Sequence, residues 1–157
     1  MLKNATFEDI PYLVDHRLAL FQENNGKAGK SFSLEQIDIF KASYNEFLEK
    51  NFIEKKLFAW LIPLNGTCLS SGAISILDWP PALGEPRHKA ALLHSLYTIP
   101  SQRRNGNATQ ILQAAISFAN AAGIKWITLG PSEDGRGLYE KIGFKDVNQM
   151  RFAISSQ

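Results

Sequence analysis

Cysteine is almost missing from this chain: Cys68 stands alone among 157 residues. An internal disulfide is therefore excluded. A buried structural thiol is the ordinary reading of Cys68, and a nucleophile would need a base beside it. No Cys/His cluster has metal-ligand spacing, so no metal is expected. A reducing cytoplasm is the simpler compartment for such a chain. Net charge is scarce too: 17 Lys and Arg against 15 Asp and Glu leave +2. A nucleic-acid binder would carry a basic, aromatic-interleaved face, and this balance offers little of one. No stretch approaches the ~20 apolar residues that span a bilayer, so no membrane partner is expected. The opening, Met1 to Ile10, lacks an apolar segment and carries two acids, which argues against a targeting signal. Neither G-x-x-x-x-G-K-[ST] nor G-x-G-x-x-G occurs. Repeats and linker-like tracts are also missing, and one domain over residues 1–157 is expected.

What is present is ordinary globular composition, 45% hydrophobic and 20% charged. Thr6 is placed to cap a helix from about Glu8, with Ile10, Leu13, Val14, Leu18 and Phe21 at helical spacing. The stretch Asn24-Asn-Gly-Lys-Ala-Gly29 should end it. Ser33 and Gln36 resemble a capping box for a second helix to about Asn51, with Ile37, Phe40, Tyr44, Phe47 and Leu48 on its apolar face. Lys56 to Pro63 and Thr67 to Leu77 read as strands joined by the Asn65-Gly66 turn. Gly72 inside the second strand implies a bulge or a close backbone approach. Trp79 to Pro86 is a proline-rich loop. A strand over Ala90–Ile99, a helix over Ala108–Ala122 stopped by Gly123, and a strand over Lys125–Leu129 make a parallel βαβ unit. A short helix over Gly137–Lys141 and a last strand over Lys145–Ile154 follow. The fold class is α+β (α/β), a mixed sheet flanked by helices.

The chemistry concentrates in Leu96-Tyr-Thr-Ile-Pro-Ser-Gln-Arg-Arg-Asn-Gly-Asn-Ala-Thr109. A strand ends at a proline, a basic loop follows, and a helix begins. Gly106 lets backbone approach a ligand, Ala108 does not block it, and the helix start offers unpaired N–H groups beside Arg103 and Arg104. These are the parts of a pyrophosphate cradle. They are equally the parts of an ordinary strand-to-helix turn with surface arginines.

Arg103-Arg-Asn-Gly106-Asn-Ala108 resembles the R/Q-x-x-G-x-G/A signature of the GNAT superfamily of N-acetyltransferases. Gly137-Leu-Tyr139-Glu-Lys-Ile-Gly143-Phe144 looks like the same family's LYEKxGF segment. The resemblance covers roughly Ala90 to Phe152. It implies a centrally splayed sheet, with acetyl-CoA as co-substrate and acyl donor. It implies that backbone groups of Tyr97, Thr98 and Ile99 bond the pantetheine arm. The pyrophosphate would lie on Arg103, Arg104, Asn105, Gly106, Asn107, Ala108 and Thr109. Ser132 stands where many relatives have an Asn touching the arm. Tyr139 occupies the place of the general acid, a phenol that protonates the departing thiolate; the plainer reading is a tyrosine packed beside Leu138 and Ile142.

The expected function is transfer of acetyl from acetyl-CoA to a primary amine, on a small molecule or a peptide, by direct attack in a ternary complex. A non-catalytic acyl-CoA-binding or sensing module is the alternative. His94 is the only titratable candidate for a general base on the donor strand. A lone strand histidine is more often a satisfied half-buried residue, and Asp78 and Glu85 are the other candidates. His16 and His88 are assigned no chemistry. Trp79, Tyr44, Phe32 and Phe40 could line an acceptor slot, and Glu23, Glu35 and Asp38 could attract a cationic amine; core packing and solvated helix faces are the plainer readings. Family members are often dimers, and the resemblance allows a homodimer without naming an interface.

Overall fold

The computed structural model describes residues 1–81, 83–84, 89–147 and 149–154. Glu85 and His88 lie outside them.

The elements run β1 (Lys3–Asn4), α1 (Ile10–Lys27), α2 (Leu34–Ile53), β2 (Leu57–Leu64), β3 (Thr67–Asp78), β4 (Lys89–Thr98), α3 (Asn107–Ala121), β5 (Trp126–Thr128) and α4 (Arg136–Ile142). One sheet holds the strands in the order β1-β2-β3-β4-β5. Its first three pairings are antiparallel and the last, β4 with β5, is parallel.

Period-two alternation sorts the strand residues to two faces. On one face Leu57, Ala59 and Ala73 pack under α1 and α2 through Ile10, Leu13, Val14, Tyr44 and Leu48. On the other, Trp60, Ile62, Ile74, Ala91 and Leu93 meet Ile111, Leu112 and Ala115 of α3. The Ser33 capping box forms as expected: its hydroxyl accepts from the Gln36 N–H, and the Gln36 side chain accepts from the Ser33 N–H. α1 begins after a 3-10 turn over Phe7–Asp9 and runs on through Asn24 and Asn25 to Lys27. Asn25 does not break it, because its side-chain amide donates to the Phe21 carbonyl one turn back. The stop comes at Gly29, whose φ of 69° is left-handed.

A bulge distorts the middle of the sheet. Ser71 faces Tyr97 but Ala73 faces His94, so Ser95 and Leu96 together oppose Gly72. Ser95 takes a φ of 59°. A Cβ on Gly72 would lie 2.8 Å from Ile111 Cγ2 and 3.0 Å from Leu96 Cδ1, which is why this position carries no side chain. The extra residue therefore belongs to β4, and Gly72 supplies the close approach. The bulge also brings His94 and Ser95 to the same α1–α2 face, where His94 meets Phe47 and Ser95 meets Tyr44.

The expected strand over Lys145–Ile154 does not form. The described residues of that stretch carry no regular structure, and Val147, Met150, Phe152 and Ile154 are exposed. A strand exists by pairing, and the outer edge of β5, three residues long, offers little to pair with.

Candidate active site

β4 and β5 pair over Ala90–Trp126, Ala91–Ile127 and Leu92–Thr128 and then part. Past that point Leu96, Tyr97 and Thr98 line a polar cavity of about 680 Å³, closed by α1, the start of α3, Ser132 to Gly135, and α4. The strand's alternation decides which backbone groups face it. The Ile99 N–H donates to the Leu69 carbonyl and the Tyr97 carbonyl accepts from the Ser70 hydroxyl, so both look towards β3. Thr98, and Leu96 across the bulge, turn the other way. Of the expected set Tyr97, Thr98 and Ile99, only Thr98 thus turns its backbone groups away from β3, and its carbonyl already accepts from Arg103 Nε at 3.0 Å.

The loop after β4 delivers the helix start. Gly106, at φ 78°, caps α3 without a side-chain bond, so the first N–H groups of Asn107, Ala108 and Thr109 have no intrahelical acceptor. A Cβ at Gly106 would meet nothing, so its glycine answers to backbone conformation. Asn107 donates its side-chain amide to the Gln102 carbonyl, which ties the loop to the helix, while Asn105 reaches only to Gln102 at the surface.

The two arginines separate. Arg103 NH2 grips both Glu23 oxygens, at 2.9 and 2.7 Å, and its guanidinium lies over the Tyr97 ring. Tyr97 donates its hydroxyl to the same carboxylate at 2.7 Å. Burial alone would raise the Glu23 pKa, but the Tyr97 and Arg103 bonds outweigh it and hold it below the usual range. Burial, reinforced by Glu23, pushes the Tyr97 phenol up to about 12. Arg103 is therefore a fastener for α1. Arg104 lines the cavity with no side-chain partner among the described residues. A second fastener, Lys27 to Asp134, links the end of α1 to the turn before α4.

Tyr139 also lines the cavity. Its ring meets Phe144 edge-on, its hydroxyl has no hydrogen-bond partner among the described residues, and burial raises its pKa, so it stays protonated near neutrality. Gly135 makes room for it: a Cβ there would lie 3.2 Å from the tyrosine ring and 3.1 Å from Ser132 Oγ. The Ser132 hydroxyl accepts from the Gly135 N–H at 3.2 Å and so holds the turn in place.

A second cavity, of about 560 Å³, opens between α1 and α2. Phe21, Phe40, Tyr44 and Phe47 form a continuous ring series along it. At its floor Arg17 donates to Ser95 Oγ at 2.6 Å, and the Tyr44 hydroxyl bonds the same oxygen at 3.0 Å. His94 is held at both ring nitrogens, Nδ1 by Ser95 at 2.9 Å and Nε2 by Ser75 at 2.8 Å. Arg17 can only donate, so its 3.4 Å approach to Nδ1 assigns the ring hydrogen to Nε2. Burial, with Arg17 beside it, lowers the His94 pKa to about 4. A ring so occupied is a poor acceptor for an amine proton, which weighs against the general-base reading.

The sequence profile of the Acetyltransferase (GNAT) family matches residues 19–144. The chain belongs to the GNAT acetyltransferase family. It is an acyltransferase. A predicted acetyltransferase from Clostridium acetobutylicum, solved with acetyl-CoA, superposes with a TM-score of 0.86 at 23% identity, over 98% of this chain and 95% of that one. A GCN5-related N-acetyltransferase from Ralstonia eutropha gives 0.83 at 21%, over 98% and 97%. The aminoglycoside antibiotic 6'-N-acetyltransferase of Acinetobacter haemolyticus gives 0.71 at 17%, over 100% and 99%. No curated protein matches significantly.

In this GNAT chain the polar cavity gathers Tyr97, Thr98, Arg103, Arg104, Gly106, Asn107, Ala108, Thr109, Ser132 and Tyr139, while Ile99 and Asn105 are not part of its lining. Tyr44, Phe32 and Phe40 share the aromatic cavity. Trp79 does not join them; it packs edge-on against Trp126 at 5.6 Å. Glu23 is spent on Arg103 and Tyr97, and Glu35 and Asp38 are exposed outside both cavities. His16 is satisfied by Ser71 and the Cys68 carbonyl, and burial raises the Cys68 thiol to about 11, leaving it inert. Among the described residues no group of His, Cys, Asp or Glu could hold a metal, and no helix is long and apolar enough to cross a membrane. Arg17, Lys27, Ser75, Ser95, Asp134 and Gly135 escaped the sequence reading. Only Gly135 carried a signal, being a glycine four residues before Tyr139.

Proposed function

We propose that the protein moves an acetyl group from acetyl-CoA to a primary amine by direct attack in a ternary complex. The observation that carries this reading is the parting of β4 from β5 beyond Leu92, with the start of α3, Arg104 and Tyr139 all on the cavity that follows. The residues present suit the donor. Outward backbone groups of Leu96 and Thr98 can pair with the amides of a pantetheine arm as a strand would. The N–H groups of Asn107, Ala108 and Thr109, with Arg104, suit a pyrophosphate. When bound, the donor supplies an activated thioester.

Tyr139 is the general acid. Its hydroxyl gives its proton to sulfur as the C–S bond breaks and the amine nitrogen forms the C–N bond, and the proton shed by nitrogen leaves to water and restores the phenol. No residue is needed as a fixed base when the amine enters neutral. Ser132 shapes the turn that sets the Tyr139 ring.

Isothermal titration with acetyl-CoA, CoA and ATP tests this reading. Saturable binding of the two CoA species and not ATP is expected, weakened about tenfold by Arg104→Ala, since one charge-assisted phosphate contact is lost. Failure to bind acetyl-CoA at millimolar concentration overturns it.

A further inference from the structure

The aromatic cavity holds a cation with no counter-ion. Arg17 is half-buried, and among the described residues no carboxylate pairs with it. Its guanidinium lies 4.8 Å from the Tyr44 ring centroid and 5.1 Å from that of Phe21. A guanidinium carries five N–H donors. Its partners account for few of them: Ser95 Oγ, and the longer approach to His94. Buried charges are ordinarily paired, so an unpaired one beside an open cavity points to an anion that arrives from outside. No Asp or Glu lines this cavity. A polycationic amine would find no carboxylate there, and two of the rings, Phe21 and Tyr44, already face Arg17.

We infer that the acceptor is an α-amino acid with an aromatic or large apolar side chain, its carboxylate on Arg17 and its side chain along Phe21, Phe40, Tyr44 and Phe47. This assignment rests on the acetyltransferase reading and adds the acceptor's class to it. Arg17 reaches Ser95 in the bulge, three residues past Leu92, the last β4 residue paired with β5. A carboxylate on Arg17 would then hold the amine, two bonds away, on the β4 side of the cavity. The third substituent on the same carbon then runs into the ring-lined cavity, where apolar burial holds it. The transfer forms the amide C–N bond on the α-nitrogen as the thioester C–S bond breaks; Tyr139 protonates the departing sulfur, and the proton shed by nitrogen returns to Tyr139 through water.

The experiment compares L-phenylalanine, phenethylamine (the same body without a carboxylate) and spermidine as acceptors, by thiol release with saturating acetyl-CoA. Binding of L-phenylalanine alone is followed by thermal shift, and acetyl-CoA binding by titration in the same preparations. L-phenylalanine should exceed phenethylamine by about tenfold or more in kcat/KM, because a charge-assisted pair is at stake, with spermidine lowest. Arg17→Met should collapse the ratio of L-phenylalanine to phenethylamine towards one and abolish the L-phenylalanine thermal shift. Phenethylamine or spermidine matching L-phenylalanine overturns the assignment, as does an Arg17→Met loss shared equally by both monoamines. If Arg17→Met does not fold, the comparison of substrates on the unaltered protein decides alone. Acetyl-CoA bound but no L-phenylalanine bound or acetylated overturns the acceptor assignment and leaves the donor reading standing. Acetyl-CoA not bound overturns both.

Discussion

The polar and aromatic cavities share a wall, α1, and use it differently. Glu23 and Lys27 on that helix face the polar cavity and are both tied across it, to Arg103 with Tyr97 and to Asp134. Arg17 and Phe21 face the aromatic cavity, and there the cation has no carboxylate. The polar side thus has its charges matched except Arg104, while the aromatic side keeps one charge waiting. The contrast teaches that a motif does not by itself say what an arginine is bonded to: Arg103 opens the cradle motif and is held by Glu23, while Arg17, in a helix with no motif at all, has no carboxylate partner among the described residues.

The sharpest break in this comparison is Tyr139→Phe. It should lower kcat on the order of 100-fold, as general-acid loss does, with the acetyl-CoA Kd within about twofold. Equal losses in turnover and donor binding would make Tyr139 a packing residue. On the aromatic side, Phe40→Ala removes the ring that meets Phe21 edge-on and stacks on Tyr44, and should cut kcat/KM for L-phenylalanine by about tenfold through lost apolar contact, the donor Kd staying put. Joined with Arg104→Ala, each loss should keep its single-variant size, in kcat/KM for the acceptor at saturating donor and in the acetyl-CoA Kd, since the residues share no partner. A change in either loss in the double variant would mean that α1 couples the cavities.

How much of this was legible in the sequence follows the range of the interactions. The β2–β3 hairpin, the βαβ unit and the Gly106-to-Thr109 helix start are set by neighbours in the chain, and local patterning found them. The family motif located Tyr139. Arg17 bonds a residue 78 positions away and Glu23 one 80 positions away, so on their own helix both look like solvated charges. The bulge was half legible: Gly72 marked the spot, but only pairing reveals that the extra residue sits in β4. Lys145–Ile154 has strand composition without a partner, and composition cannot show whether an edge is open to receive it.

The smallest expected effect is a pH dependence. His94 has its folded pKa lowered to about 4, and burial lowers that of His16 as well. Between about pH 6.5, the unfolded value, and pH 4 the unfolded chain binds protons that the folded chain does not, so stability rises with pH through that window and is complete above it. Urea midpoints should fall from pH 7.5 to pH 5, and His94→Gln should flatten that fall. An unchanged slope would mean that His94 is not held neutral by its surroundings.

Ser95 gathers Arg17, Tyr44 and His94 on one hydroxyl while its backbone stays left-handed at φ 59°. Ser95→Gly would relieve a backbone penalty of roughly 1 kcal/mol, yet leaving buried polar groups without their partner costs about 1–3 kcal/mol each. The strain is therefore the smaller of the two terms, and the serine holds in register three side chains from three different elements that a glycine would set loose.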